Sequence, residues 1–351
     1  MKKKFQKVLC MVLCMILVCM VVACKKEDSV DDKNKNDVEN EKQEETQNDV
    51  QKELGGVVAH WKFQDDQEYY SGSIDKGDFT FKDLSGNGNH LQVKTEGNGF
   101  KYDVFSWVEG STLQKDSKKA LYFGNTYKNA KSVCPSDYNS ADMEFTGGTY
   151  VSGKYFATVS DAPMNSQVFE EGYTIEIIFK VDSNFNMNYN RYVGIFSRQG
   201  IYNNEPWFSM ALAETADINE EGYLKENGKL SLQLVQRSTD GSAVNKEFGA
   251  INTNQWVHYM AVSKNGNVTV YVNGQEQDTG GIHLTDIGKS KYGWEVGVGR
   301  KSFEGESVKN EEHEEGGIRR LFCGAISEIR VVDHAIDLQD ALYRTSNSLL
   351  K

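Results

Sequence analysis

The fold class is decided by residues 256–277, WVHYMAVSKNGNVTVYVNGQEQ. Two Asn-Gly pairs, Asn265-Gly266 and Asn273-Gly274, separate three short strand-like runs in this stretch. Asn-Gly supplies the positive φ angles that tight hairpin turns require. The stretch therefore predicts an antiparallel meander of three strands.

Strand-like patterns recur along the chain from residue 55. The segment 173–181 places apolar residues at every second position, as a half-buried strand requires, and the segment 230–237 does the same with leucine. The apolar residues of the first segment are Tyr173, Ile175, Ile177, Phe179 and Val181, those of the second are Leu230, Leu232 and Leu234, and further strand candidates are 57–63, 119–123, 150–159, 191–197, 207–213, 294–299 and 322–332.

Helical signals are almost absent from this sequence. One helix is predicted, at the C-terminus, where Asp337 is a typical N-cap before LQDALYRTSN. Many short strands with Gly-rich turns predict an all-β fold, a sandwich of two antiparallel sheets with a short C-terminal helix.

Four segments, taken in order, resemble one known family. They are AHWKF…FKDLSGNGNHLQV within 59–93, GYTIEIIFKV at 172–181, the meander at 256–277, and GAISEIRVVDHAI at 324–336. Together they resemble the concanavalin A-like, laminin-G-like jelly roll of bacterial surface proteins. The resemblance implies a jelly roll and leaves lectins, carbohydrate-binding modules and glycan hydrolases open as functions.

Two stretches have no counterpart in that family pattern. They are residues 96–142 and the acidic residues 303–317. Length is usually added to a fold in loops, and loops often present binding groups. Both stretches are therefore predicted to be loop insertions in a jelly-roll domain that spans residues 55–351.

Residues 1–24 predict a lipoprotein signal peptide. A lysine-rich start precedes an apolar run that is too short to span a bilayer comfortably. The run ends in VVAC at 21–24, which resembles a bacterial lipobox and implies that Cys24 is diacylated. Two acyl chains anchor a protein stably. An ordinary secretory signal and an uncleaved anchor are the alternatives.

Residues 25–54 predict a disordered acidic linker. The stretch has no aromatic residue and is rich in Asp, Glu, Lys, Asn and Gln, so it cannot bury enough apolar area to offset its ordering entropy. With the lipid anchor, this linker predicts a domain held at the bacterial cell surface, bound to the membrane and facing outward.

Charge and cysteine content limit the partners and the covalent structure. The formal net charge of −12 repels nucleic acid and anionic lipid headgroups, so no nucleic-acid partner is expected. Outside the signal peptide and Cys24, the cysteines are Cys134 and Cys323. In an exported protein these could form a disulfide or remain two buried free thiols.

Catalytic motifs are missing from the sequence. Related β-glucanases carry an ExDxxE pattern on one strand, and the one E-x-D here, Glu276 to Asp278, lacks the third acid and lies beside a hairpin turn. Glu176 is interpreted as a solvated or cross-strand partner. The patterns HExxH, GxSxG and GxxxxGK[ST] do not occur. The sequence therefore predicts a protein that is not an enzyme.

The segment 83–89, DLSGNGN, is the candidate metal loop. Asp83, Ser85, Asn87 and Asn89 place oxygen-bearing side chains at every second position, as in the first half of a calcium loop. The family resemblance places Glu328, on the closing strand, near this loop as a fifth ligand. A structural calcium ion is one hypothesis, and a Gly/Asn turn that binds nothing is the other.

Sugar binding on such scaffolds uses aromatic rings beside amides and carboxylates. Trp61 and Trp256 lie within apolar strand patterns and are predicted to be core residues. The candidate ligand-binding residues lie nearer to loops and strand ends: Tyr202, Asn203, Asn204, Trp207, Trp107 and Trp294.

These observations lead to one functional hypothesis with two alternatives. The first is a lipid-anchored, non-catalytic surface protein whose jelly roll binds extracellular carbohydrate. A surface module that binds another protein, with 303–317 as a contact, is the second. A glycoside hydrolase whose carboxylates come from different strands is the third.

Overall fold

The computed structural model describes residues 54–74, 78–96, 103–126, 128–129, 153–190, 193–198, 206–213, 215–290, 293–300 and 318–343. The chain divides into two units, Met1–Leu54 and Gly55–Lys351, and the described residues after Leu54 belong to the second. The predicted signal peptide and all but the last residue of the predicted linker lie outside the described residues.

Strands account for nearly all the regular structure in the described residues of this unit. A short helix, α1, spans Met187–Asn190, and single 3₁₀ turns span Pro163–Asn165 and Leu338–Asp340. The strands are β1 (Val57–Lys62), β2 (Tyr70–Ser73), β3 (Asp78–Phe81), β4 (Leu91–Glu96), β5 (Phe105–Glu109), β6 (Lys119–Gly124), β7 (Gly153–Thr158), β8 (Gly172–Val181), β9 (Gly194–Arg198), β10 (Trp207–Leu212), β11 (Leu230–Arg237), β12 (Ala243–Ile251), β13 (Trp256–Lys264), β14 (Asn267–Val272), β15 (Gln275–Gln277), β16 (Glu295–Val296), β17 (Val298–Arg300), β18 (Ile318–Leu321) and β19 (Cys323–Val332).

The strands form two large antiparallel sheets. The eight-stranded sheet has the order β15-β14-β13-β8-β19-β6-β5, and β1 also pairs with β19. The nine-stranded sheet has the order β12-β11-β10-β9-β16-β7-β4-β3-β2. A further pair joins β17 to β18. The predicted two-sheet antiparallel sandwich is confirmed.

The predicted meander is confirmed as β13-β14-β15. Its two turns have positive φ at both central residues, 51° and 80° at Asn265 and Gly266, and 51° and 74° at Asn273 and Gly274. These are the angles of the tight turns that match the twist of paired strands. The meander forms one edge of the eight-stranded sheet and pairs with β8 through β13.

The core lies between the two sheets. The predicted inward residues of β8 and β11 are buried there. Rings of opposite sheets touch: the centroids of Phe105 and Phe156 lie 4.9 Å apart and those of Tyr173 and Phe208 5.7 Å apart. The Tyr173 hydroxyl also donates a hydrogen bond of 2.6 Å to Gln236 Oε1 of the other sheet. Trp61 is fully buried, as predicted.

Trp256 was predicted to be a core residue, and this prediction is wrong. It is the first residue of β13, its side chain is half-buried, and Lys180 Nζ lies 5.0 Å from its ring centroid. Its register partner on β8 is Lys180, a residue of the outer face. Alternation along β13 therefore turns Trp256 away from the core, towards which Val257 and Tyr259 point.

The stretch 96–142, predicted to be a loop insertion, contributes two strands. β5 and β6 fall within it and extend the eight-stranded sheet beyond β19. The alternate residues Phe105, Leu121 and Phe123 are buried in the core, which explains why this part is a strand hairpin. The second predicted insertion, 303–317, lies outside the described residues.

Cys323 is free and buried, whereas Cys134 lies outside the described residues. Burial raises the pKa of the Cys323 thiol, so the thiol stays protonated and unreactive at neutral pH. Of the two alternatives for Cys323, the structure contains the buried free thiol and not the disulfide.

The predicted C-terminal helix is a single 3₁₀ turn within the residues described up to 343. Asp337 is extended and makes no side-chain capping bond. The backbone of residues 333–343, the closing segment, bonds instead to the outer face of the eight-stranded sheet: Thr174 Oγ1 donates to His334 O and accepts from Ile336 N. Hydrogen bonds to residues of the sheet thus take the place of the bonds that the backbone of this segment would make within a helix.

Glu176 holds the closing segment in place. It is fully buried, not solvated, and its Oε1 accepts hydrogen bonds from Arg330 Nε and Nη2 at 3.0 and 2.5 Å. Its Oε2 accepts from His258 Nε2 at 3.0 Å and from Leu342 N at 2.8 Å. Arg330 Nη2 also donates to Asp340 O at 2.6 Å. Glu176 is thus a cross-strand partner that also binds the C-terminal backbone.

The same contacts set the ionisation of this carboxyl. Burial raises the pKa of Glu176, but the Arg330 charge and the hydrogen bonds from His258 and Leu342 outweigh burial and lower the pKa to about 2. A carboxyl whose folded pKa lies below its ordinary value of 4.5 stabilises the fold fully above that value. The contribution is lost as the pH falls towards about 2.

We expect acid to destabilise the domain through Glu176. Between about pH 5 and pH 2, this group should account for a loss of about 3 kcal/mol in the free energy of unfolding, measured by urea denaturation. Glu176→Gln should be less stable at neutral pH and should show a flatter pH dependence. Glu171→Gln, at an exposed position, is the control and should keep the native slope. If the free energy of unfolding depends equally on pH in Glu176→Gln and in the native chain, Glu176 is not the source of the acid sensitivity.

Candidate functional site

An open groove of about 330 Å³ lies on the outer face of the nine-stranded sheet, over β4, β7 and β16. This volume is at the lower end of the range for small-ligand pockets. Most of the lining residues are polar, and they are Gln92, Lys94, Tyr155, Ala157, Thr158, Ser160, Asn165, Ser290, Gly293 and Glu295.

Strand register places the groove residues side by side. Gln92 pairs with Ala157, Ala157 pairs with Glu295, and Lys94 pairs with Tyr155. Side chains alternate along a strand, so the apolar residues between these positions point into the core and the groove residues point out. The small Ala157 side chain forms the floor between the amide of Gln92 and the carboxylate of Glu295.

The loop after β7 closes one end of the groove. Thr158 Oγ1 donates to Asn165 Oδ1 at 2.7 Å and accepts from Trp294 N at 3.0 Å. Asn165 Nδ2 donates to Val159 O at 2.9 Å. The Asn165 side chain is therefore fixed in the groove wall by its neighbours.

Arg198 supports this wall from the core side. It is fully buried, its Nη1 donates to Gln167 O at 2.8 Å, and its Nη2 donates to Asn165 O. Its guanidinium lies 5.6 Å from the centroid of the Trp294 ring. Burial lowers the pKa of Arg198 to about 10, so the group remains charged at neutral pH. The carbonyl dipoles and the indole face offset the cost of this buried charge.

The groove presents hydrogen-bonding groups of every class. Lys94 supplies a cation, Gln92 an amide, Glu295 a carboxylate, and Ser160 a hydroxyl. Glu295 is the one carboxylate among the groove-lining residues in the described part of the chain. Glycosidic hydrolysis by the usual route needs two carboxylates flanking the bond. The arrangement is suited to holding a polar ligand.

The predicted metal loop, residues 83–89, is organised by the Asp83 carboxylate. Asp83 Oδ1 accepts from His60 N and Ser85 N, both at 3.0 Å, and Oδ2 accepts from Asn89 N at 2.9 Å. Ser85 Oγ donates to both oxygens, at 2.7 and 2.8 Å. The carboxylate thus binds backbone and hydroxyl donors from β1 and from its own loop.

The two asparagines of the loop turn their amide groups to the backbone. Asn87 Nδ2 donates to Val57 O at 2.8 Å, and Asn89 Nδ2 donates to Val58 O at 2.8 Å. Asn89 Oδ1 accepts from Met164 N at 2.9 Å. These bonds tie the loop to β1 and to the turn that begins at Pro163.

Glu328, the fifth predicted ligand, has other partners. Its Oε1 accepts from His60 Nε2 at 2.6 Å, and its Oε2 accepts from Gln114 Nε2. Burial raises the pKa of Glu328, but the hydrogen bond and charge of His60, with Lys62 and Gln114, lower it overall. The carboxylate is therefore ionised at neutral pH and engaged within the protein.

As arranged, these residues do not fit a calcium ion. The oxygens of Asp83 and Glu328 accept hydrogen bonds from protein donors, and the amides of Asn87 and Asn89 face carbonyl groups. Among the residues that the structure describes, no three His, Cys, Asp or Glu side chains are grouped to hold a metal. Calcium at this loop stays a prediction of the sequence pattern.

Comparison with known families identifies the fold. A model of the Laminin_G_3 family, described as the concanavalin A-like lectin/glucanases superfamily, matches residues 151–340, more than half of the chain. The chain belongs to this superfamily. The family resemblance seen in the sequence is confirmed.

Several solved structures show distant similarity to this superfamily member. Domain 4 of AbnA, an extracellular GH43 arabinanase from Geobacillus stearothermophilus in complex with arabinotriose, is 16% identical over 81% of this chain and 96% of its own, with a TM-score of 0.44. The binding domain of Paraclostridial Mosquitocidal Protein 1 is 14% identical over 80% of this chain and 50% of its own, with a TM-score of 0.42. A Ruminococcus gnavus IT-sialidase CBM40 bound to alpha2,3 sialyllactose is 14% identical over 48% of this chain and 80% of its own, with a TM-score of 0.32.

These similarities are distant, and none of them identifies a ligand for this chain. A comparison with curated protein sequences found no match.

The tryptophans predicted to bind sugar are separated in this concanavalin A-like domain. Trp294 is fully buried, stacked on Phe196 with 4.9 Å between ring centroids, so its ring is a core group and not an exposed platform. Trp107 is half-buried on β5 of the eight-stranded sheet and packs against Tyr70 at 5.5 Å. Trp207, half-buried at the start of β10, lies on the nine-stranded sheet.

Trp207 shares the outer face with the groove. The residues after it at alternate positions, Phe208 and Met210, are buried in the core, so Trp207 points outward. Strands β9 and β16 separate it from β7. The remaining predicted ligand residues, Tyr202, Asn203 and Asn204, lie outside the described residues.

The groove residues themselves were not predicted. A signal for them exists in LQVKTE at 91–96, where Leu91 and Val93 alternate with Gln92 and Lys94. Glu295 could not be added to this set from the sequence, because β16 reaches β7 only through the strand order of the folded sheet. Local alternation identifies an outer face, but not which outer faces adjoin.

We expect Asp83→Ala to destabilise the domain with calcium and with a chelator alike. The substitution leaves several donors without an acceptor, which should lower the free energy of unfolding by about 2–3 kcal/mol. Thermal and urea unfolding measure the effect, with Asp78→Ala at an exposed position as the control. A higher melting temperature in millimolar calcium that depends on Asp83 would contradict the self-contained loop and restore the calcium hypothesis.

Proposed function

We propose that this domain binds extracellular carbohydrate in the groove over β4, β7 and β16, without cleaving it. The observation that carries the proposal is the convergence of Gln92, Lys94 and Glu295 on one concave site of a concanavalin A-like jelly roll. Donors and acceptors set around a small floor suit a ligand that carries many hydroxyl groups.

The exposure of the groove residues supports a preformed site. Gln92 and Lys94 are half-buried, so their polar ends reach the groove while their stems pack on the sheet. Tyr155 and Thr158 are buried and form a firm wall. A rigid site loses little conformational entropy when a weakly bound ligand such as a sugar enters.

The single carboxylate of the described groove lining supports binding over hydrolysis. Hydrolysis by the usual route needs a second acid across the groove from Glu295, and the described lining residues include none. For the alternative of a protein-binding surface module, the suggested contact, residues 303–317, lies outside the described residues. Calcium forms no part of the proposal.

We place the domain at the bacterial cell surface, anchored through a diacylated Cys24 and facing outward. The lysine-rich start, the apolar run and the VVAC sequence support this location. The acidic composition of residues 25–54 supports a spacer between anchor and domain. In the described part of the chain, no helix has the length and apolar character to cross a bilayer.

Removal of the polar side-chain groups of Gln92 or Lys94 should weaken glycan binding in the groove. On a glycan array, and by calorimetry with any glycan found there, Gln92→Ala and Lys94→Ala should each reduce affinity about tenfold, the effect of losing one good hydrogen bond. Lys118→Ala, at an exposed position before β6, is the control and should bind as the native domain does.

Three results would contradict the groove proposal. A domain with no glycan ligand that captures a protein partner would favour the alternative surface module. Equal glycan affinity in all the variants would place the site elsewhere. Release of oligosaccharide from a polysaccharide panel would make the domain a hydrolase.

The proposed anchor predicts a change in localisation. Cys24→Ser should abolish metabolic labelling with radioactive palmitate and move the protein from the membrane fraction to the medium. Cys19→Ser, within the apolar run, should leave labelling intact. An unlabelled native chain that is cleaved and released would instead support an ordinary secretory signal.

A further inference from the structure

A second pocket, of about 270 Å³, lies on the outer face of the eight-stranded sheet, on the opposite side of the sandwich from the groove. It is formed around the ends of β8, β6 and β19. Its lining residues are Ser106, Val108, Tyr122, Lys180, Asp182, Asn254, Gly324 and Ala325.

Strand register creates the shape of this pocket. Tyr122 pairs with Ala325, Ala325 pairs with Lys180, and Lys180 pairs with Trp256, so the four residues form one row across the sheet. Adjacent strands lie about 4.8 Å apart, which puts Tyr122 and Lys180 about 10 Å from each other. The small Ala325 between them leaves a depression with a ring on one side and a cation on the other.

The carboxylate of Asp182, in the same pocket, is hydrogen-bonded to its neighbours. Asp182 Oδ1 accepts from Asn184 N at 2.6 Å and from Asn184 Nδ2 at 2.8 Å. The Tyr122 hydroxyl also bonds to Asp182, and burial together with nearby negative charge raises the pKa of that tyrosine. Asp182 therefore serves as an acceptor for its neighbours.

The ammonium of Lys180 has no carboxylate partner among the described residues. Lys180 Nζ lies 5.0 Å from the centroid of the Trp256 ring, and no carboxylate of the described residues lies within ion-pair distance of it. The indole face attracts the ammonium but does not neutralise it. Because the Lys180 side chain lines the pocket, its charge would attract an anion that enters.

We propose that this pocket binds a sugar that carries a carboxylate. Lys180 would pair with the carboxylate, and the exposed side chains of Ser106 and Asn254 would hydrogen-bond to ring hydroxyls. The pocket volume exceeds what a carboxylate group alone would fill, and the ring of Tyr122, which lines the pocket, offers an apolar surface to the sugar ring. The site is separate from the groove and does not depend on it.

The experiment titrates the full domain with D-glucuronate and with D-glucose, which differ in the carboxylate. The indole N–H resonance of Trp256, assigned by its loss in Trp256→Phe, should shift with millimolar glucuronate and should not shift with glucose. Lys180→Gln should weaken glucuronate binding at least about tenfold, and Lys180→Arg, which keeps the charge, should retain it.

Lys94→Gln, in the groove, separates the two proposals. It should leave the Trp256 shift unchanged even where it weakens glycan binding in the groove, so that each site can fail independently. The pocket proposal is overturned by equal shifts with both sugars, by glucuronate binding that survives Lys180→Gln, or by the absence of any shift at millimolar glucuronate. A far-ultraviolet circular dichroism spectrum identical to that of the native domain verifies that each variant is folded.

Discussion

Alternate side chains of β8 pack against the opposite sheet, and the rest of the structure follows from this contact. Tyr173, Ile175 and Ile177 occupy the core, and the Tyr173 hydroxyl bonds to Gln236 across it. Because β8 pairs with both β13 and β19, its alternation sets which residues of those strands face inward. Glu176 and Lys180, on the other face of β8, are thereby aligned with the outward residues of the neighbouring strands.

Buried charges attach irregular segments to this framework. Glu176 and Arg330 bind the backbone of the closing segment, and Arg198 binds the carbonyl groups of the loop that ends the groove. A buried charge is costly unless it is paired or hydrogen-bonded, so each group favours one position of the segment that satisfies it. Asp83 does the same for its loop with hydrogen-bond donors from β1. Specific polar contacts with the framework therefore hold these three segments in place.

The two outer faces differ in what they offer to a ligand. The groove on the nine-stranded sheet combines Lys94, Gln92 and Glu295 over a small floor, and so suits a polyhydroxylated ligand. The pocket on the eight-stranded sheet has a hydrogen-bonded carboxylate in Asp182 and an ammonium in Lys180 that lies within ion-pair distance of no carboxylate of the described residues. Both sites have alanine at the centre of a cross-strand row and larger polar residues on either side. A small residue between larger polar ones thus shapes both the groove and the pocket.

The sequence by itself determined the fold class, because its two main signals are local. These signals are the alternation of side chains along a strand, which has a period of two, and the Asn-Gly pairs that form tight turns. The meander at 256–277 and the core faces of β8 and β11 were predicted from these signals and are confirmed. Only the tertiary structure decided that Glu176 is buried, that Trp294 is a core ring, that 96–142 holds two strands and that Asp337 starts no full α-turn within the described residues. It also brought Glu295 beside Gln92, and Lys180 beside Tyr122. These outcomes depend on which strands become neighbours and what covers each face, and such contacts between distant parts of the chain leave no periodic trace in the sequence.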